Sequence, residues 1–125
     1  METGKSSQNK KSEQFTIAVT KKTNEILLKL KFLQFKTTRT LWDKADVIAF
    51  LVDKYLNDQT FANKVNECLK TNTEKLNDRV AILVSYELRL KLVDISMGLH
   101  IPAHRIIGCM SAVYLNETTE VDKQP

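Results

Sequence analysis

One segment of this chain occurs twice at low identity. Residues 46–57 (DVIAFLVDKYLN) and 105–116 (RIIGCMSAVYLN) share four of twelve positions, including a closing Tyr-Leu-Asn. Upstream of each lies a short alternating stretch, QFTIAVT at 14–20 and RVAILVS at 79–85. Alternation with a period of two marks a half-buried strand, and apolar residues at a period near 3.6 mark a helix. A strand followed by two helices is therefore written twice.

The two halves align with one gap. Phe15 and Val80 stand 65 residues apart, as do Val19 and Val84, Leu27 and Leu92, and Leu30 and Ile95. Ile48 and Ile107 stand 59 apart, as do Tyr55 and Tyr114. The first half thus carries six more residues between its helices (65 minus 59). Loops tolerate such changes of length, so the expected place for the six is the connection.

Isolated strands of this length leave backbone donors and acceptors without partners in water. Each half offers one strand and no second. The economical solution pairs the strand of one half with that of the other, with the helices packed beneath. The expected fold is mostly α with a two-stranded antiparallel ribbon.

At 125 residues the chain is long enough for one such body, and 42% hydrophobic residues can supply its core. The net charge of +4 favours polyanions modestly. No apolar run approaches the roughly 18 residues of a membrane span, and METGKSSQNKKSEQ has no apolar signal segment. Cytoplasmic residence without membrane contact is the expectation.

Along the chain, residues 1–13 read as a disordered basic arm, rich in Lys and Ser without periodicity. The first repeat covers 14–57. Its strand turns Phe15, Ile17 and Val19 inward and Gln14, Thr16 and Ala18 outward. A helix is expected from Thr23 to Phe35, then a loop over KTTRTLW, then a helix capped by Asp43 and burying Val47, Ile48, Leu51, Tyr55 and Leu56. The connector, 58–77, carries Phe61, Val65, Cys68 and Leu69 at helical spacing and is expected to be partly helical. The second repeat covers 78–116. There Val80, Ile82 and Val84 face in, and Arg79, Ala81 and Leu83 face out. Leu88, Leu92, Val93 and Ile95 form the stripe of its first helix. Gly98 suits the end of that helix and Pro102 the start of the next. Residues 117–125 read as a polar tail. Cys109, among apolar helix residues, reads as a small core residue.

The segments QFTIAVTKKTNEILLKLK with KADVIAFLVDKYLN, and RVAILVSYELRLKLVDISMGLHIPAHRIIGCMSAVYLN, each resemble one unit of the ribbon-helix-helix (Arc/MetJ-like) DNA-binding family. Two such units form an intertwined dimer in that family. Here the resemblance implies a tandem pseudo-dimer in one chain, covering about two-thirds of it. It further implies that the ribbon enters the major groove of double-stranded DNA, which is wide enough for two strands and distinguishes every base pair. Carried over, the base-reading residues are Gln14, Thr16, Ala18, Arg79, Ala81 and Leu83. Gln14 suits adenine, Arg79 suits guanine, and Leu83 is the awkward member of a polar reading face.

The family also anchors phosphates on backbone amides at the start of the second helix, where the helix dipole favours an anion. The matching residues are Lys44 and Ala45 in the first half and Ala103, His104 and Arg105 in the second, with Lys21 and Lys22 just beyond the first strand. Asp43 and Asp46 depart from this pattern by placing carboxylates at one anchor. The implied role is a transcriptional regulator, a repressor by preference, with copies self-associating on adjacent sites. A relaxosome or partition accessory protein of a mobile element is the alternative, as is an interaction module that kept the fold and lost DNA reading.

No enzyme is expected. Three glycines in the whole chain leave no phosphate-cradling loop. His100 and His104 are four apart, but Pro102 between them at a helix start spoils a metal pair. No cofactor, metal ligand or catalytic residue is assigned.

Overall fold

Phe15, Ile17 and Val19 can bury their side chains only if the strand that carries them finds a hydrogen-bonding neighbour, and that neighbour comes from far along the chain. The computed structural model describes residues 15–123. In it β1 (Phe15–Val19) pairs antiparallel with β2 (Val80–Val84) as a two-stranded sheet. The helices are α1 (Lys21–Thr38), α2 (Lys44–Asn57), α3 (Gln59–Thr71), α4 (Tyr86–Leu99) and α5 (Ala103–Lys123), with α3 preceding β2.

The register opposes Phe15 to Val84, Thr16 to Leu83, Ile17 to Ile82, Ala18 to Ala81 and Val19 to Val80. Residues directly opposed in an antiparallel pair project from the same face. One face is therefore wholly apolar and bears on the helices, where Val19, Ile82 and Val84 are buried. The other carries Thr16, Ala18, Ala81 and Leu83. The centre of the pairing is Ile17 against Ile82, which are themselves 65 residues apart.

Helix starts follow the same spacing. Thr20 caps α1 by accepting the Thr23 N–H at 3.1 Å, and Ser85 caps α4 by accepting the Leu88 N–H at 3.1 Å. Each cap satisfies an amide that the helix itself cannot. Asp43 begins α2 with a reciprocal capping box. Its carboxylate accepts the Asp46 N–H at 2.8 Å, and its own N–H donates to Asp46 at 2.9 Å. Pro102, 59 residues on, opens α5 by accepting the Ile106 N–H at 3.3 Å.

The six extra residues are not all loop. α1 has 18 residues and α4 has 14, and each is closed by a left-handed residue, Arg39 (φ 59°) and His100 (φ 58°). Four of the six thus add a turn to α1, and two lengthen the connection. The Thr37 and Thr38 hydroxyls donate to the carbonyls of Leu33 (2.6 Å) and Gln34 (2.8 Å), holding the turn expected to be loop. Gly98 lies within α4 rather than ending it. The Ser96 carbonyl instead accepts the N–H groups of His100 and Ile101, and its hydroxyl donates to the Ile101 carbonyl at 2.6 Å.

The core sits where α2 and α5 pack under the sheet. Val47, Ile48 and Leu51 of α2 and Ile106, Ile107 and Met110 of α5 are all buried, each pair 59 residues apart. Leu27 and Leu30 of α1, and Leu92 and Ile95 of α4, close the sides. Two expected core residues are not there. Leu56 and Val93 lie on the solvent side of their helices, because the buried stripes run through Val47, Ile48, Leu51 and Val52 and through Leu88, Leu92 and Ile95.

Within 58–77, α3 takes up Gln59–Thr71. Phe61, Val65 and Leu69 bury one face of α3. Asp58 ends α2 and begins α3. Its carboxylate accepts the Phe61 N–H at 3.1 Å and meets the Lys54 ammonium at 3.1 Å; the Phe61 amide first, and Lys54 after it, hold the carboxyl below its usual range. That cap is therefore complete at neutral pH and is lost only as pH falls through the lowered value. Residues 117–123, expected as tail, continue α5. Glu117 meets Lys64 of α3 at 3.0 Å, and the Thr118 and Thr119 hydroxyls donate to the Leu115 carbonyl. The arm, residues 1–13, lies outside the described residues.

Ile48→Ala and Ile107→Ala should each lower the unfolding free energy by about 2–5 kcal/mol, read from urea denaturation. A loss under about 1 kcal/mol at either site would mean that its half is not packed as described. Cys109 is buried with its Sγ 2.6 Å from that of the half-buried Cys68, and burial pushes its thiol up to about 12. A thiol reacts as its anion, so iodoacetamide near pH 8 should modify Cys68 and spare Cys109 until the chain unfolds.

Candidate nucleic-acid interface

The outward face of the sheet is narrow, and most of its side chains are small. Thr16, Ala81 and Leu83 are exposed and Ala18 is half-buried. Across the pairing Ala18 faces Ala81, and Thr16 faces Leu83, so the middle of the face is almost flat. Leu83 is 62% exposed, which leaves most of its apolar surface in water. Arg79 lies just ahead of β2 and is exposed. Gln14, the sixth expected reader, lies outside the described residues.

Basic side chains flank one end of this face. Lys21 and Lys22 open α1 and are exposed. The Lys21 N–H points to the Asp78 carboxylate at 3.4 Å, which ties the start of α1 to the residues entering β2. At the opposite corner Phe15 packs on Tyr86, with ring centroids 5.7 Å apart, and Arg89 lies over the Phe15 ring at 5.1 Å. The ribbon is thus braced at both ends by the helix that follows the opposite strand.

The two second-helix N-termini differ. That of α2 opens on a cleft of about 350 Å³ lined by Asp43, Ala45, Asp46, Leu83, Ser85 and Leu88. It adjoins the ribbon, as a phosphate site should. Both carboxylates, however, are engaged with backbone amides that an anion would need. The Lys44 ammonium is drawn off to Asn24 at 2.7 Å, and Ala45 is half-buried beside it.

The N-terminus of α5 is covered by the connector. The Arg105 guanidinium donates to the carbonyls of Leu69 (3.2 Å) and Asn72, which terminate α3. His104 Nε2 lies 3.3 Å from the Glu74 carbonyl oxygen, and Ala103 is half-buried. The Glu74 carboxylate then accepts from the Thr20 hydroxyl at 2.5 Å. Arg105 and His104, expected at a phosphate, are instead occupied in holding the connector. A long cation beside the open carbonyls of a helix C-terminus finds strong acceptors there without leaving the protein.

Gly108 explains how the connector fits. A Cβ there would stand 3.1 Å from both Glu74 Oε1 and Thr23 Oγ1. The matching position of α2, 59 residues earlier, is Ala49, which lines the open cleft instead. Residues 72–78 carry no periodicity that could have signalled this difference.

No family model, no curated protein and no solved structure matches this chain. Among the described residues no group of His, Cys, Asp or Glu is placed to hold a metal, and no helix is long and apolar enough to cross a membrane.

Arg105→Ala should destabilise the fold by about 1.5–3 kcal/mol, since two acceptors at the end of α3 lose a charged donor. Thermal or urea unfolding reads this directly. An unchanged midpoint would return Arg105 to the pool of residues free for a ligand.

Proposed function

We propose that this chain is a single-chain ribbon-helix-helix pseudo-dimer that binds double-stranded DNA by inserting the β1–β2 ribbon into the major groove. The observation that carries this reading is the strand register. With equivalent residues 65 apart, Phe15 matches Val80 and Val19 matches Val84; in the sheet Phe15 opposes Val84 and Val19 opposes Val80. That exchange about Ile17 and Ile82 is what a two-fold axis through the ribbon would give, and it supports the pseudo-dimer reading. The equivalent caps at Thr20 and Ser85, and at Asp43 and Pro102, support the same axis.

A face of Thr16, Ala18 and Ala81 is slim enough to approach base edges, and exposed Arg79 at its margin suits guanine. Leu83 then contacts a thymine methyl. Phosphate contacts fall to Lys21 and Lys22 rather than to the starts of α2 and α5, one lined by carboxylates and the other covered. Because the strands differ at every outward position, the preferred site is asymmetric rather than palindromic. The role that fits is transcriptional regulation in the cytoplasm, by repression. Accessory DNA binding on a mobile element uses the same face.

Selection from a random DNA pool followed by gel shifts tests this. Thr16→Ala or Arg79→Ala should cost about 1–3 kcal/mol at the selected site and relax its base preference. Lys21→Ala should weaken all sequences alike and reduce the salt slope by about one. Binding that never exceeds that to random DNA would sink the reading and assign the face to a protein partner through Leu83.

A further inference from the structure

Two cysteines meet where α3 packs on α5. Cys68 lies near the end of α3 and Cys109 in the first half of α5, 41 residues apart in sequence, with their Sγ atoms 2.6 Å apart. That is about 0.6 Å longer than the roughly 2.0 Å of a disulfide bond, so a small torsion of either side chain closes the gap. A small core residue at position 109 is what apolar packing asks for. Packing does not ask for a second sulfur turned onto it from a half-buried helix position.

The two sulfurs differ in access. Cys109 is fully buried, whereas Cys68 lines a cleft of about 320 Å³ with Lys22, Asn72, Glu74 and Gly108. A small oxidant entering that cleft reaches Cys68 first. Cys109 is held as a thiol chiefly by burial, then by its contact with Cys68 and by the Cys68 charge. That charge disappears once Cys68 is oxidised, while Asn72 and Arg105 still favour the Cys109 anion. Cys109 is thus quiet until its neighbour reacts, and becomes the attacking sulfur afterwards.

We propose that Cys68 and Cys109 are a peroxide-responsive pair that closes to a reversible disulfide, stapling α3 to α5 and stabilising the fold. The Cys68 thiolate attacks one oxygen of hydrogen peroxide, the O–O bond breaks, and the departing hydroxide takes up the proton Cys68 had released and leaves as water. Cys68 is then a sulfenic acid. Cys109 gives up its proton, its sulfur attacks that of Cys68, and the S–O bond breaks with loss of a second water. Two thiols are oxidised to one disulfide as one peroxide is reduced to two waters. A reducing dithiol reverses the step by attacking Cys68, the accessible sulfur, with Cys109 as the leaving group. In a reducing compartment such a pair stays open until oxidant rises. The bond closes a loop that holds β2 and α4, so it restricts the unfolded chain. The inference rests neither on DNA binding nor on the likeness of the halves.

Treatment of the reduced full chain with a small excess of hydrogen peroxide near neutral pH is the test. The intact mass should fall by two hydrogens, both thiols should vanish from a titration in denaturant, and a digest should link Cys68 to Cys109. The thermal midpoint should rise by roughly 10 °C and fall back after dithiothreitol. In Cys109→Ala the same treatment should leave a Cys68 sulfenic acid that dimedone traps, whereas the wild-type chain should give little of that adduct. In Cys68→Ala the buried Cys109 should gain no oxygen. The wild-type readouts stand even where a variant folds poorly. Two titratable thiols after peroxide, a bond between chains rather than within one, or further oxidation of Cys68 with Cys109 still a thiol would each overturn the pair. An unchanged midpoint in the bridged chain would overturn the staple.

Discussion

Everything in this fold hangs on the hydrogen bonds between β1 and β2. Five residues of strand cannot stay ordered alone, and among the described residues neither β1 nor β2 has any other strand to pair with. Pairing across the chain solves both problems at once and produces the apolar underside on which the helices collect. It also fixes where α1 and α4 start, because Thr20 and Ser85 stand one residue beyond their strands and turn the chain into a helix. Core packing between α2 and α5 then follows as the way to cover Ile17, Ile82 and their neighbours.

The residues between α3 and β2 make the surroundings of α2 and α5 unlike. A connector long enough to return the chain to the start of β2 must cross one flank, and it crosses at the start of α5. Arg105, His104, Glu74 and Gly108 are the residues that let it lie there. The opposite flank stays open beside α2. The starts of α2 and α5 therefore differ: one N-terminus opens on a cleft beside the ribbon and the other faces the protein.

Much of this was legible in the residues. Alternation placed both strands, apolar spacing placed α2 and α3, and Asp43 marked a helix start for the reason that carboxylates cap amides. The constant spacings of 65 and 59 carried the equivalence of inward positions before any pairing was known. Other features hid for physical causes. The added turn of α1 ends in Thr37 and Thr38, whose low helix propensity hid it and whose hydroxyls bond back to the preceding turn. Val93 and Leu56 misled because an apolar residue beside a stripe looks the same whether it faces in or out. Arg105 reads as a surface cation in any linear pattern, and only the end of α3 folded against it gives it another use. Of the candidate reading face, the outward order of Thr16, Ala18, Ala81 and Leu83 followed from alternation alone, whereas the closing of one anchor did not.

The long reach between the strands has a consequence for how the protein is made. β1 leaves the ribosome first and its partner follows some 65 residues later. At a synthesis rate of roughly 5–20 residues per second, that is a wait of about 3–13 s with an unpaired apolar edge. Such an edge is a template for pairing with whatever strand arrives first, and on a crowded message that can be the same strand of a sister chain. Carrying both strands in one polypeptide therefore settles which strands meet only after synthesis has passed a window in which the nascent chain must be kept apart from its neighbours.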